Sequence, residues 1–297
     1  MQKPPWTIAD LDRFVDDEPL AYSIPGETPG HGVDLEAAHE LFHEQTKYHR
    51  ATSRGRARRI RAHIEEPPLI AKCVLGRHRR AGKSVSLPAP TDISGSLGEV
   101  LANRKSVRRE QLGAERLVCV KLLSNMLYHS VRTNRQVPVK KVPGLMQDFR
   151  PYPSAGALYP CEVYLAIANV EGLSPGIYRY DARQHDLLLC KSHPDTGRPL
   201  RDFSDVETEF YETPPACAVI MTAVFERSVR KYGARGYRLA LIEAGHILQN
   251  LSLVASAIDL KGLVSASFYE AELENLLGID GVSEAVLAAF LMGQMSD

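Results

Sequence analysis

The chain has no surplus of charge: 36 Lys and Arg stand against 36 Asp and Glu over 297 residues. A balanced chain has no global field with which to recruit a nucleic acid or an anionic membrane. Paired cysteines are missing too. The five present (Cys73, Cys119, Cys161, Cys190, Cys217) are odd in number, scattered, and never in Cys-x-x-Cys. That spacing excludes a disulfide framework and a zinc ribbon and implies reduced thiols in a cytosolic setting. The first residues, MQKPPWTIADLDRF, lack the apolar core of a secretory signal. There is no internal repeat and no low-complexity segment. These absences lead us to expect a cytoplasmic protein with no nucleic-acid and no membrane partner.

One long apolar stretch stands out against this background. From Leu239 to Ile258 only Glu243 is charged and no proline intervenes. Ala240, Ala244, Ile247, Leu251, Val254 and Ile258 recur at spacings of four and three, which predicts one face of an α-helix. The neighbouring face (Leu241, Gly245, Leu248, Ser252, Ala255) is also uncharged. A helix apolar nearly all round is buried in a core or against a second subunit. It is as long as a membrane span, but the polar stripe Glu243, His246, Gln249 and Asn250 argues against one. Ahead of it, Arg230 to Arg238 reads as a cationic loop bearing Tyr232 and Tyr237.

Residues 1–33 read as an irregular arm rich in Pro and Gly, and Asp34 as the N-cap of an amphipathic helix in LEAAHELFHEQTKYH. From Arg50 to Lys83 the chain is strongly basic, which fits a solvated surface or a docking surface for an acidic peptide. Pro88-Ala89-Pro90 marks a linker. We therefore expect an N-terminal extension over 1–94 and a main domain over 95–297. In the latter, GEVLANRKS and Ala114–Ser130 read as helices and 133–160 as a loop. Strands are expected at Cys161–Val170, Pro215–Glu226 and Gly262–Phe268, a hairpin at Gly176–Cys190, and a helix at AELENLLG. Strands and helices mix without a strict βαβ rhythm, so the class is α+β.

Four motifs carry chemistry. His39-Glu40-Leu41-Phe42-His43 matches HExxH, but nothing supplies a third ligand in the required context, and no metal is expected. Gly82-Lys83-Ser84 lacks the upstream glycine at phosphate-loop spacing. Asn103-Arg104-Lys105-Ser106-Val107-Arg108-Arg109 puts cations and a hydroxyl at a helix end, a chemistry suited to phosphate. Pro151-Tyr152-Pro153-Ser154-Ala155-Gly156-Ala157-Leu158-Tyr159-Pro160 is a rigid turn whose small residues let backbone amides approach a planar ligand.

Taken in order, Arg-Lys-Ser-Val-Arg, Pro-Ser-Ala-Gly-Ala-Leu-Tyr-Pro followed by Glu162-Val163-Tyr164-Leu165, and Gly176-Ile177-Tyr178-Arg179-Tyr180 resemble one family. So do Lys231-Tyr232-Gly233, Arg235-Gly236-Tyr237-Arg238, Glu243-Ala244-Gly245-His246 and Gln249-Asn250-Leu251. The chain from about Gly95 to Gly293 resembles the SagB-type dehydrogenases of the FMN-dependent nitroreductase superfamily. The resemblance implies a nitroreductase-like fold, a central mixed or antiparallel sheet flanked by helices, and a homodimer with FMN at the interface. It implies oxidation of thiazoline or oxazoline rings to azoles in a ribosomally made precursor peptide, beside a cyclodehydratase partner. By motif position Arg104, Lys105, Ser106 and Arg108 would hold the phosphate, ribityl or ring edge of FMN, and Pro153, Ser154, Ala155 and Gly156 would line the isoalloxazine. Gln249 and Asn250 are further expected contacts. Ser265-Ala266-Ser267-Phe268 stands where the family commonly has a Gly-Gly-Phe segment touching flavin N5, so the backbone of Ala266 and Ser267 is expected there.

The family's catalytic pair falls on Lys231 and Tyr232. Oxidising an azoline requires a base for the acidic ring proton. Free Lys and Tyr are protonated at neutral pH, so burial and the neighbouring cations Arg230 and Arg235 are the means expected to make Lys231 a base. Two alternatives remain open: a flavin-dependent reductase of dehydroamino acids or nitro compounds, and a flavin-free structural member of a peptide-modifying complex.

Overall fold

The computed structural model describes residues 35–48, 53–74, 83–107, 112, 117–192 and 215–293. The expected arm, the Asp34 cap, Arg108 and Arg109 lie outside these residues. Met1–Gln45 and Thr46–Asp297 form separate compact units. Of the first, helix α1 (Leu35–Gln45) is described. The second contains everything that follows.

In the basic region, α2 (Ser53–Glu65) and α3 (Pro67–Val74) are helical, and α2 has no buried residue. Strand β1 (Ser84–Ser86) pairs with β6 and so belongs to the main sheet. Helix α4 (Leu97–Asn103) starts at a capping box: the Ser96 hydroxyl accepts from Glu99 N and the Glu99 carboxylate accepts from Ser96 N. Helix α5 begins at Val120 and ends at Val131, several residues later than periodicity suggests. Val118 is extended instead and bridges Val170, a pairing no local pattern announces. The expected loop 133–160 contains a hairpin, β2 (Arg135–Pro138) with β3 (Met146–Phe149).

The core is a seven-stranded sheet in the order β1-β6-β5-β4-β7-β9-β8. Its further strands are β4 (Cys161–Ile167), β5 (Gly176–Asp181), β6 (Asp186–Ser192), β7 (Cys217–Val224), β8 (Lys261–Ser265) and β9 (Glu284–Gly293). Every ladder is antiparallel. β4 and β7 lie at the centre; every residue of β4 and all but the last of β7 are buried, which is why they read as unbroken apolar runs. Their side chains alternate between two layers, as strand periodicity requires. Val163, Leu165, Val219 and Met221 pack on α5 and on the long helix α7 (Arg235–Ala257). Tyr164, Ala166, Ala218 and Ile220 pack on α8 (Glu270–Leu277) on the other side.

The organising helix is α7 (Arg235–Ala257). Ala240, Ala244, Ile247, Leu251 and Ala255 form its buried face; Ile247 and Leu251 are wholly enclosed and contribute about 1.5–3 kcal/mol each. Its opposite face is not covered. Leu241 is 42% and Ile242 54% exposed, and Gly245 opens on solvent. By length and composition α7 could cross a membrane, but its buried face packs on the sheet.

Candidate active site

The sequence before α7 is not a loop. Helix α6 (Glu226–Tyr232) runs up to Gly233 (φ 66°, ψ −154°), and α7 begins two residues later. Lys231 and Tyr232 thus sit in the last turn of one helix, and Arg235 to Arg238 in the first turn of the next. The basic run reads as a loop because it lacks an apolar period. In fact one glycine reverses the chain and folds Lys231 inward, where it is 8% exposed.

The two cations expected to flank Lys231 are engaged elsewhere. Arg230 pairs with Glu226 one turn back. The Arg235 guanidinium lies 4.4 Å over the Tyr48 ring, and its Nη1 donates to Thr46 O. Arg56 stacks on the same ring at 3.9 Å, and α2 packs against α6. The basic N-terminal helices therefore lie against the helix that presents Lys231.

Lys231 and Tyr232 both point at Gly156. That residue is left-handed (φ 65°), and a Cβ built on it would lie 2.5 Å from Tyr232 Oη and 2.8 Å from Lys231 Nζ. Lys231 Nζ is 5.5 Å from the centre of the Tyr232 ring. Burial pushes the Tyr232 phenol up. The sequence-predicted catalytic pair is thus brought against the sequence-predicted flavin-lining loop. No spacing along the chain could show this contact.

The loop is held in an unusual shape. Ala157 (φ 52°) and Tyr159 (φ 45°) are left-handed without being glycine, at a cost of about 1–2 kcal/mol each. Four side chains hold the loop there. Ser154 Oγ accepts from Tyr159 N at 2.9 Å, and Gln147 Nε2 donates to Ala157 O at 3.0 Å. Arg227 Nη1 donates to Tyr159 O at 2.8 Å, and Tyr159 Oη accepts from Arg150 N at 3.0 Å.

The polar stripe on α7 completes the clamp. Glu243 Oε1 accepts from Cys161 N at 3.2 Å, and the Ser154 hydroxyl faces its carboxyl. His246 Nδ1 donates to Pro153 O, and Asn250 Nδ2 donates to Pro151 O at 3.1 Å and Ser130 O at 3.2 Å. The Asn250 amide, expected as a cofactor contact, is engaged by the backbone of the loop. Glu243 is 1% exposed, and burial pushes its carboxyl up. Pattern reading noted the stripe but not its purpose, because its partners lie 80 to 120 positions away.

The remaining predicted residues gather at the other end of α7. Arg104, Lys105 and Ser106 line a cavity of about 320 Å³ together with Ser252, Ser256 and Lys261. Val107 N donates to Gly262 O at 3.4 Å, tying this segment to β8. Gln249 is exposed between the two groups. Ala266 and Ser267 are exposed just past β8, outside that cavity.

A family model described as the nitroreductase family matches residues 129–294, more than half of the chain, and the chain belongs to that family. Its members are flavin-binding oxidoreductases. Over 198 residues the chain is 28% identical to a nitroreductase-like protein of Methanocaldococcus jannaschii, MJ1384, covering 67% of this chain and 92% of that one. It is 34% identical over 155 residues to the microcin B17-processing protein McbC of Escherichia coli, covering 50% of this chain and 55% of McbC. The chain thus spans about half the length of McbC. Among solved structures, the E. coli microcin synthetase McbBCD complex with truncated pro-MccB17 bound contains a chain of like fold. The TM-score is 0.53 at 21% identity, covering 100% of this chain and 85% of that one.

The residues present fit a flavin mononucleotide. Three cations (Arg104, Lys105 and Lys261, the last paired with Asp259) and three hydroxyls around one cavity are a phosphate-and-polyol donor set. Gly156, with no side chain between its backbone and the tips of Lys231 and Tyr232, keeps this small-residue loop open to close backbone approach by a planar ring.

Proposed function

We propose that the chain is an FMN-dependent dehydrogenase that oxidises azolines to azoles in a ribosomally made peptide. The observation that carries this reading is the contact of Lys231 and Tyr232 with Gly156. The likeness to a microcin-processing protein and to a synthetase complex holding a peptide supports peptide rather than free small-molecule substrates, and a cyclodehydratase is the partner that would supply the azoline.

Bound FMN supplies the hydride acceptor. Arg104, Lys105 and Ser106 would hold its phosphate end, with Arg108 following in sequence, and the backbone of Pro153–Gly156 would line the ring. Lys231 Nζ takes the acidic ring proton of the azoline. Among the described residues no carboxylate pairs with this amine. The Tyr232 hydroxyl, beside the same glycine, orients the amine and can relay the proton outward.

We further propose a homodimer. Glu243 and Ser256 are thirteen residues apart on α7, about 20 Å along the axis. The clamp and the phosphate cavity therefore lie at opposite ends of one helix. A second copy packed antiparallel on the exposed Leu241–Ile242–Gly245 face would bring one protomer's cavity beside its partner's loop. The uncovered apolar face supports this arrangement.

The test is incubation of the flavin-loaded protein with an azoline peptide, read by mass spectrometry. A loss of two hydrogens per ring is expected. An unchanged azoline together with NAD(P)H-dependent reduction of an olefin or a nitro group would overturn the reading. So would protein that cannot be loaded with flavin.

A further inference from the structure

A second cavity, of about 330 Å³, opens beyond Ala157, on the face of the loop that carries Tyr159 and Glu162. Its wall holds four guanidinium groups (Arg150, Arg179, Arg183, Arg227) and three carboxylates (Asp148, Glu162, Asp181). The charges are not evenly paired. Glu162 takes Arg179 on Oε2, at 2.7 Å, and Arg227 on Oε1, at 2.5 Å; those two cations hold its carboxyl down at about 2 against the burial that opposes them. Arg183 pairs with Asp148. Asp181 Oδ1 accepts from the backbone of Arg183 and Gln184.

Among the described residues Arg150 forms no direct ion pair, and it shares Glu162 electrostatically with Arg179 and Arg227. Its Nη1 donates to Tyr152 Oη at 2.8 Å and its head lies 5.0 Å over the Tyr159 ring, while its Nε is buried with no partner. Glu243 also acts on it, but burial pushes that carboxyl up. Three guanidinium groups thus share one ionised Glu162, which leaves the cavity with a surplus of positive charge that an incoming carboxylate can offset.

The position of this cavity is as informative as its charge. Arg227 and Lys231 are four residues apart on α6, about 6 Å along the helix. Cys73 at the end of α3 lines the cavity and lies within electrostatic reach of Lys231. The cavity therefore begins where the Gly156–Lys231 contact ends. We propose that it is a carboxylate subsite: it holds an acidic side chain, or the C-terminal carboxylate, of the peptide whose ring is presented to Lys231. At about 3.3–3.6 Å of extended chain per residue, a separation of about 6 Å or slightly more would put that carboxylate at least two residues from the reacting ring. The peptide part of this proposal rests on the function proposed above; the anion subsite does not.

Two experiments separate these layers. In the first, the flavin-loaded protein is alkylated in parallel with iodoacetate and iodoacetamide, and each cysteine is followed by peptide mapping. The iodoacetate-to-iodoacetamide rate ratio at Cys73 should exceed that at exposed Cys190 by about 5-fold. It should fall in Arg150→Met, and in Arg183→Gln, which sits at the rim and keeps the fold if the buried substitution does not. Equal ratios at the two cysteines, or a ratio unmoved by both variants, overturn the subsite.

In the second, azoline peptides carrying Asp, or Asn, two or three residues from the ring are compared with peptides ending there in a carboxylate or a carboxamide. Loss of the charge should raise KM by about 10-fold or more with little change in kcat. The Asp series and the terminus series tell the two sources apart, and no KM effect in either overturns the peptide role. If no peptide is turned over while the alkylation ratios behave as expected, the azoline reading fails and the subsite stands.

Discussion

Gly156→Ala isolates the contact on which the active-site assignment depends. The added methyl would sit 2.5 Å from Tyr232 Oη and 2.8 Å from Lys231 Nζ, against an ordinary non-bonded separation of about 3.5–4.0 Å. Each tip must therefore move by about 1 Å. Both are the free ends of flexible side chains, so the fold can yield without rebuilding its core. The stability cost is then set by the left-handed backbone, about 1–2 kcal/mol. The chemistry cannot yield in the same way, since a displacement of about 1 Å in a reacting group costs on the order of 100-fold in rate. The expected outcome is a folded, flavin-binding protein whose azoline oxidation, followed by loss of two hydrogens, falls by about two orders of magnitude. Ala157→Gly is the control: it relaxes a neighbouring left-handed residue without filling the gap, and should change the rate by less than about 3-fold. A Gly156→Ala enzyme within a factor of two of the parent in kcat would refute the reasoning.

Lys231→Met should lower turnover by about 100-fold or more while flavin absorbance is retained, and full turnover would remove Lys231 as the base. Arg104→Ala and Lys105→Ala should each weaken FMN binding about 10-fold, read by fluorescence titration, because each deletes a charge-assisted contact. Glu243→Gln tests the buried clamp through pH. With its carboxyl pushed up, the folded state keeps a proton that the unfolded chain releases near the ordinary value of 4.5, so stability falls as pH rises from there to the raised value. The glutamine variant should lose that slope in thermal melts taken across pH, while an unchanged slope would count against the clamp. Ile242→Glu places a charge on the uncovered face of α7 and should convert a dimer to monomers in sedimentation, with loss of flavin in parallel.

Much of the fold could be read locally because its signals are local. The apolar runs of β4 and β7 arise from burial on both faces, the β5–β6 hairpin from a short polar turn between β-formers, and α7 from a period of three and four. The misreadings have physical causes as well. Val118 is extended because it bridges Val170, so tertiary pairing overrides the helical propensity upstream of α5. The β2–β3 hairpin was hidden in a segment rich in Pro and Gly. The run Arg230 to Arg238 looked like a solvated loop because pattern reading scores charge and not direction, and Gly233 changes the direction.

The sequence by itself determined the α+β class, the central strands and the long helix, because these follow from residue type and spacing; the groups expected to meet a flavin came from the resemblance of its motifs to a family. Only the tertiary structure decided that the polar stripe of α7 grips the loop at Pro151–Ser154 and that Asn250 serves that loop. It also decided that Arg235 is taken up by Tyr48 and that Lys231 and Tyr232 converge on Gly156. Each of these is a contact between segments tens of residues apart, and periodicity along a chain has no record of which distant segments will touch.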